Sequence, residues 1–362
     1  MRERKSPRNK AFLLILVLGL AIGLTLALRF IDRQNNKVKT IEKNDFFLDT
    51  LVSIRIYQSD RQKILDDAFE LIEELENQLS HYKISSEISR INSTPIGTAT
   101  SVSDATRELI ALGLHYARLS DGTFDPTIGA LVNLWSIGTE DARLPTPHEI
   151  QATLALVDYR AVSIASGTVT LEHQSSTPAS TSTRMTLDLG GIAKGWIADR
   201  VAEFLWNSGE QNFLINLGGN ILASGLKPNG EVYKIGIQDP FGDRGKYLGI
   251  ITLESGSVVS SGIYERFSEL DGKRYHHILS TSNGYPIDNE LAGVTIISEH
   301  SVDGDALSTA IFALGIEEGL KLAHSLDGIE AVLIDKEGNI LITSGVAGNF
   351  KPSTPGLQVE VR

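Results

Sequence analysis

Three groups of residues in this 362-residue chain have the types and spacing to handle phosphate. The first is Thr186 to Arg200, TLDLGGIAKGWIADR. Met185 to Leu189 alternates apolar and polar as a short strand does, and Gly190-Gly191 breaks it. Ile192 to Leu205 then carries the apolar spacing of an amphipathic helix closing near Gly209. A glycine turn into a helix start lets backbone approach a ligand closely. It also offers free N–H groups and a partial positive charge, which suits a phosphate. Asp188 before the turn and Lys194 inside the helix add one charge of each sign. The stretch is not a Walker loop, because no Gly-Lys-Ser/Thr closes it, and it lacks Gly-x-Gly-x-x-Gly. Alone, it fits a ligand-free connection as well as an anion site.

The second group is Asp305 and Thr309, four apart in DALSTAIFALG near the start of a helix, so both face one way. Carboxylate and hydroxyl are hard oxygen ligands suited to Mg²⁺, which keeps waters and phosphate oxygens for its other positions. The plain alternative is a surface Asp favoured by the helix dipole, with Thr packed below it. The third group is Tyr275-His276-His277-Ile278. Period two sends the histidines to opposite faces of a strand, so at most one points into a given site; one exposed and one buried, hydrogen-bonded ring is the plain outcome, and a single general base is the sharper one. Two further stretches are candidates for lining a site. Asp121 to Thr127 (DGTFDPT) feeds the apolar segment 128–135; Asp125 either caps that segment or, with Phe124, lines a pocket for a flat heterocycle. Asn216-Leu217-Gly218-Gly219-Asn220 supplies a second double glycine after a strand, a candidate backbone cradle.

The elements that must position these groups follow from periodicity. Phe46 to Tyr57 reads as one strand, and Ser59 with Gln62 as a capping box for a helix to about Tyr82. Ser85 to Asn92 (SSEISRIN) reads as a loop, followed by a helix over 103–119. Thr146-Pro147-His148-Glu149 is a capping box with proline at the first helical position, for a helix to about Val157. Strands between 161 and 187 are interrupted by the polar run 175–183. Further strands fall at 212–217, 233–238, 247–253, 258–260 and 294–298. A hairpin turns at Asp271-Gly272, helices cover 302–314 and 316–326, and a closing hairpin covers 331–343. Strands and helices mix without a βαβ period, which gives an α+β fold.

Residues 1–37 carry eight Lys/Arg against two Asp/Glu, so a chain of net charge −12 has a body of −18. An acidic body argues against nucleic acid as a partner and leaves local dipoles or a divalent cation to recruit an anionic ligand. Ala11 to Leu28 holds no charge, and eighteen helical residues span about 27 Å, close to the thickness of a bilayer core. The basic flank over 1–10 then stays in the cytoplasm. This reading places a signal anchor at 11–28, a tether at 29–44, the functional domain at 45–350 outside the cytoplasmic (inner) membrane, and an irregular tail at 351–362. A cleaved signal peptide is the alternative, although Thr25-Leu26-Ala27 makes a poor cleavage site. The chain contains no cysteine, which excludes a lipid-modified cysteine anchor and fits an oxidising exterior met without disulfides.

Seven blocks in order carry a resemblance: LDT, SEISRIN, DGTFDPTIGALVNLW, LDLGGIAKGW, NLGGN, SSGIYERF with DGKRYHHIL, and DALSTA. Over about residues 46–345 the chain resembles the ApbE family, the FAD:protein FMN transferases. The resemblance implies mixed, largely antiparallel sheets with packed helices. It implies a Mg²⁺-dependent enzyme that splits FAD, attaches FMN by a phosphoester to a Thr or Ser of an acceptor flavoprotein, and releases AMP. Such acceptors would be subunits of membrane redox complexes or extracytoplasmic flavoproteins. Carried over residue by residue, Asp305, Thr309 and the Gly191 carbonyl would hold the metal, and His277 would be the base. Leu48, Tyr82, Phe124, Asp125, Asp188 and Lys194 would contact FAD. The chain departs from the family at Leu48, where many relatives have Met, and at 280–284, Ser-Thr-Ser-Asn-Gly in place of Asp-Pro-x-Thr-Gly. The same resemblance leaves an FAD pyrophosphatase and a non-catalytic flavin-binding protein as alternatives.

Overall fold

A computed structural model describes residues 39–172, 184–354 and 356–362. The expected basic flank, membrane anchor and most of the tether, together with the polar run 175–183, lie outside the described residues. Among those described, no helix is long and apolar enough to cross a membrane.

The chain opens on a hairpin, β1 (Thr40–Phe47) against β2 (Thr50–Tyr57). The predicted single strand over 46–57 is therefore two strands, and part of the expected tether is strand. Leu48 and Asp49 form the two-residue turn, both with positive φ (55° and 57°). Such turns prefer Asn-Gly, so Leu-Asp gave no turn signal. Next come α1 (Gln62–Leu79), α2 (Glu87–Ser93), β3 (Thr100–Ser101) and α3 (Asp104–Leu119). The α1 start is not the predicted capping box. Its N-cap is Arg61 without a side-chain cap, and the Ser59 hydroxyl donates to Glu210 Oε1 instead. The SEISRIN block is helix α2, capped by Ser86, where a loop was expected. Then follow α4 (Gly129–Trp135), α5 (Pro147–Leu154) with the predicted Thr146–Glu149 capping box, β4 (Val162–Ala165), β5 (Thr168–Leu171) and α6 (Ala193–Asn207).

The second half adds β6 (Phe213–Leu217), β7 (Asn220–Ser224), β8 (Tyr233–Gln238), β9 (Tyr247–Leu253) and β10 (Gly256–Gly262). After these come β11 (Phe267–Leu270), β12 (Lys273–His276), β13 (Leu291–Ser298), α7 (Ser301–Leu314) and α8 (Ile316–His324). The chain closes with β14 (Glu330–Asp335), β15 (Ile340–Ile342), β16 (Phe350–Pro352) and β17 (Val359–Val361). The tail is thus not irregular, because β16 joins β9 and β17 pairs in parallel with β15.

A nine-stranded sheet in the order β1-β2-β6-β7-β10-β13-β14-β15-β17 forms the backbone of the fold. Its pairings are antiparallel except β15–β17, so the largely antiparallel α+β expectation is met. One face packs on the helices through residues such as Ile54, Ile215, Leu333, Trp196 and Phe312. The other face meets the small sheet β16-β9-β8 through Val332, Ile334, Ile235 and Phe350. Burial on both faces explains why β13 and β14 read as near-continuous apolar runs rather than alternating ones.

The predicted strand over 185–189 is extended but is not a strand. The Asn92 side chain brackets Leu187, accepting its N–H at 2.7 Å and donating to its carbonyl at 2.9 Å. Asp188 N–H donates to the Pro126 carbonyl, and Thr186 bridges Ile128. Two of the quoted blocks, SEISRIN and DGTFDPT, therefore exist in part to hold the approach to the glycine bend.

Candidate active site

The Gly190-Gly191 bend, the start of α6 and the first half of α7 meet at one place. Asp305 lies a full turn inside α7, deeper than the helix opening expected for it, and is 4% exposed. Its Oδ2 accepts the Gly195 N–H at 2.9 Å, and its Oδ1 lies 3.5 Å from Lys194 Nζ. Lys194 Nζ also donates to the Gly190 carbonyl at 3.3 Å. A Cβ added at Gly191 would lie 3.1 Å from Phe124 Cε2 and 3.7 Å from Thr309 Oγ1. Gly191, Phe124, Lys194, Asp305 and Thr309 are therefore one cluster. The Lys194 ammonium lies between the bend carbonyl and the carboxylate. A carboxylate, a hydroxyl and backbone carbonyls form a hard oxygen set that fits Mg²⁺. Among the described residues no group of three His, Cys, Asp or Glu converges on one point.

Close packing places this cluster. A Cβ at Gly195 would fall 2.3 Å from the Ser301 carbonyl oxygen and 2.8 Å from Asp305 Cβ. Helix α6 can approach α7 this closely only with glycine there. Asp199, one turn on, caps α7 by accepting the N–H groups of Ser301 (2.8 Å) and Val302 (2.9 Å), and burial pushes its pKa up to about 6. Gly195→Ala is expected to cost about 1–3 kcal/mol, as overpacking does, and to move Asp305 off the bend. Chemical denaturation should show the loss, and a variant as stable as the parent would contradict the tight crossing.

The two histidines separate as their spacing predicts, but His277 is half-buried rather than exposed. His276 is buried edge-on against Phe312, and its Nε2–H donates to the Ile287 carbonyl at 2.8 Å. His277 takes the other face. Its Nδ1 lies 3.2 Å from the Arg266 carbonyl, which can only accept, so Nδ1 carries the proton and Nε2 the lone pair. Desolvation drives the ring's pKa down to about 3, helped by the neighbouring charges of Arg266 and Lys194. The departing loop 280–284 remains anchored, with Gly284 O accepting from Trp135 Nε1 at 2.8 Å and Thr281 donating to Gly122 O at 2.7 Å. Ser280 Oγ accepts the N–H groups of Ser282 and Asn283, a turn-forming role that an aspartate could also fill.

Around these lie groups that keep accessible surface although enclosing protein disfavours their charged forms. They are His277, Tyr82 (58% exposed, its phenol raised by desolvation) and Glu265, raised by burial against the pull of Lys194, Arg244 and Arg266. Tyr82 packs on His81 at 3.8 Å between ring centroids, and His81 Nδ1 lies 3.6 Å from Asp188 Oδ1. Asp188 Oδ1 also accepts the Gly190 N–H at 2.7 Å, tying it to the bend. Leu48 stands at the hairpin tip, half-buried. Asp125 is different. Oδ1 accepts from the Thr127 N–H and hydroxyl, and Oδ2 accepts the Tyr159 N–H at 2.9 Å, so its buried carboxylate fixes the Phe124 loop. The second double glycine is the β6–β7 hairpin turn, with Thr50 packed on Gly218. Sequence reasoning missed Glu265, His81 and Asp199, whose types carry no signal until their neighbours are known.

A mixed-sheet α+β domain in which a lysine, a carboxylate and a hydroxyl converge on a double-glycine bend, beside a half-buried histidine, defines a class of proteins with a polar site at a strand-to-helix glycine turn. The chain belongs to the ApbE family, whose model matches residues 48–333. It is 36% identical over 308 residues to an FAD:protein FMN transferase of Klebsiella pneumoniae, covering 85% of this chain and 93% of that protein. It is 33% identical to one of Treponema pallidum, over 87% and 90% of the two chains. The crystal structure of the ApbE protein of Thermotoga maritima superposes with a TM-score of 0.73 at 32% identity, covering 83% of this chain and 96% of that one. The flavin transferase ApbE of Vibrio cholerae gives 0.76 at 27% identity, covering 86% and 99%.

Proposed function

We propose that this chain is a Mg²⁺-dependent FAD:protein FMN transferase. The observation that carries the reading is the convergence of Asp305, Thr309 and Lys194 on the Gly190-Gly191 bend. Asp305 and Thr309, with the Gly191 carbonyl, would hold the metal, and Asp188 and Lys194 would meet the dinucleotide at the bend. Phe124, Tyr82 and Leu48 would line its flavin side, and Asp125 would act through the loop it fixes. Bound there, the ion would neutralise pyrophosphate charge and polarise the phosphorus under attack. A threonine hydroxyl is a poor nucleophile at neutral pH. His277 Nε2 is unprotonated and can take the hydroxyl proton as the oxygen bonds to the FMN phosphorus and the bond to AMP breaks. We also propose that residues 11–28 anchor the domain outside the cytoplasmic membrane, where acceptor flavoproteins of membrane redox complexes would meet it.

The test is incubation with FAD, Mg²⁺ and an acceptor domain. The expected result is an acceptor heavier by one FMN, with one AMP released for each. FMN and AMP appearing beside an unmodified acceptor would make the protein a pyrophosphatase. Unchanged FAD would leave it a binding protein.

A further inference from the structure

Glu76 stands on the last turn of α1, with a side chain 15% exposed. Its Oε1 accepts the Leu48 N–H at 2.7 Å, and its Oε2 accepts from Lys83 Nζ at 2.6 Å. Leu48 occupies the left-handed region, which strains a residue with a bulky side chain and persists only where surroundings enforce it. The carboxylate supplies part of that enforcement from outside the turn. Lys83 follows Tyr82 directly and is fixed again by Asn77 Oδ1 at 2.7 Å. Its carbonyl accepts the N–H of Ser86, the residue that caps α2. One carboxylate thus joins the turn that carries Leu48 to the loop that carries Tyr82.

We propose that Glu76 is a positioning residue that sets the spacing of Leu48 and Tyr82 and so shapes the pocket for the flavin half of the dinucleotide. This rests on the reading of Leu48 and Tyr82 as flavin contacts. The groups proposed for the phosphates lie on α6, α7 and the bend, and none of them hydrogen-bonds to Glu76. The flavin half should therefore respond to changes at Glu76 far more than the adenylate half, which the Tyr82 loop approaches through His81, 3.6 Å from Asp188.

Full-length Glu76→Ala, Glu76→Gln and Lys83→Met proteins would be compared in transfer assays and in inhibition by FMN and by AMP. Glu76→Ala is expected to raise KM for FAD and the FMN inhibition constant about tenfold, a size typical of lost outer-shell support. It should leave kcat at saturating FAD and the AMP inhibition constant within about twofold. Glu76→Gln keeps an oxygen for the Leu48 N–H and should recover most of the loss. Lys83→Met loosens only the loop and should raise the FMN constant about threefold at an unchanged melting temperature. Equal losses toward FMN and AMP, a kcat that falls in step with melting temperature, or unaltered FMN inhibition in all three variants would overturn the proposal. Unmodified protein that binds neither FAD nor FMN would overturn this proposal together with the function beneath it.

Discussion

Asp305→Asn is expected to lower FMN transfer by about three orders of magnitude while leaving the protein folded. The side chain keeps its shape, and its amide oxygen can still accept the Gly195 N–H that Asp305 Oδ2 now accepts at 2.9 Å. The variant loses the negative charge facing Lys194 and, by the proposal, the only anionic protein ligand of the ion. Thr309 and carbonyl oxygens alone bind Mg²⁺ weakly, because the ion gives up its water reluctantly without a carboxylate. The measurement is acceptor mass against time, with melting temperature as the control for folding. Chelation of the parent protein should mimic the substitution and be reversed by added Mg²⁺. Transfer within tenfold of the parent would remove Asp305 from the metal site.

His277→Ala should slow transfer by about 10²–10⁴-fold, the usual contribution of a general base, while FAD affinity stays within a few-fold. Collapse of FAD binding would instead make the ring a contact or structural group. The pH dependence has a definite sign. The ring's pKa is about 3 in the folded protein against about 6.5 when unfolded. Between those values the unfolded chain holds a proton that the folded one lacks, so stability falls as pH drops from about 6.5 toward 3 and is fully present above that window. His276 is also depressed by burial and shares the effect. Removing His277 should flatten the stability slope in that window in part. For the same reason the parent's kcat/KM should show no ionisation near 6.5 from this ring, because the base is already neutral. An acid limb centred there and abolished by His277→Ala would contradict the burial.

Much of the frame was legible in the sequence because it depends on local rules. The Thr146–Glu149 capping box, the Asp271-Gly272 hairpin and the helices over 104–119 and 301–314 carry their own signals. What escaped depends on partners distant in sequence. Ser59 gives up capping because Glu210, 151 residues on, takes its hydroxyl. Strand β17 forms because β15 offers a parallel edge, which no periodicity in a three-residue strand can announce. The approach to the bend stays extended by borrowing Asn92, 95 residues away. The site divides the same way. Motif order located Gly191, Asp305, Thr309 and His277, but it could not tell a carboxylate that faces the cleft from one turned inward. Asp125 is the inward case, and Glu265 sits inside the SSGIYERF block without its type alone marking it as a site group.

The first and last strands described, β1 and β17, lie on opposite edges of the nine-stranded sheet. At about 4.8 Å per strand step, eight steps separate them by roughly 38 Å before twist is considered. A circularly permuted version of this domain would need a linker of at least about a dozen extended residues. A pair of fluorophores placed at the two edges would also report opening of the whole sheet by a change in energy transfer, whichever strand peels first.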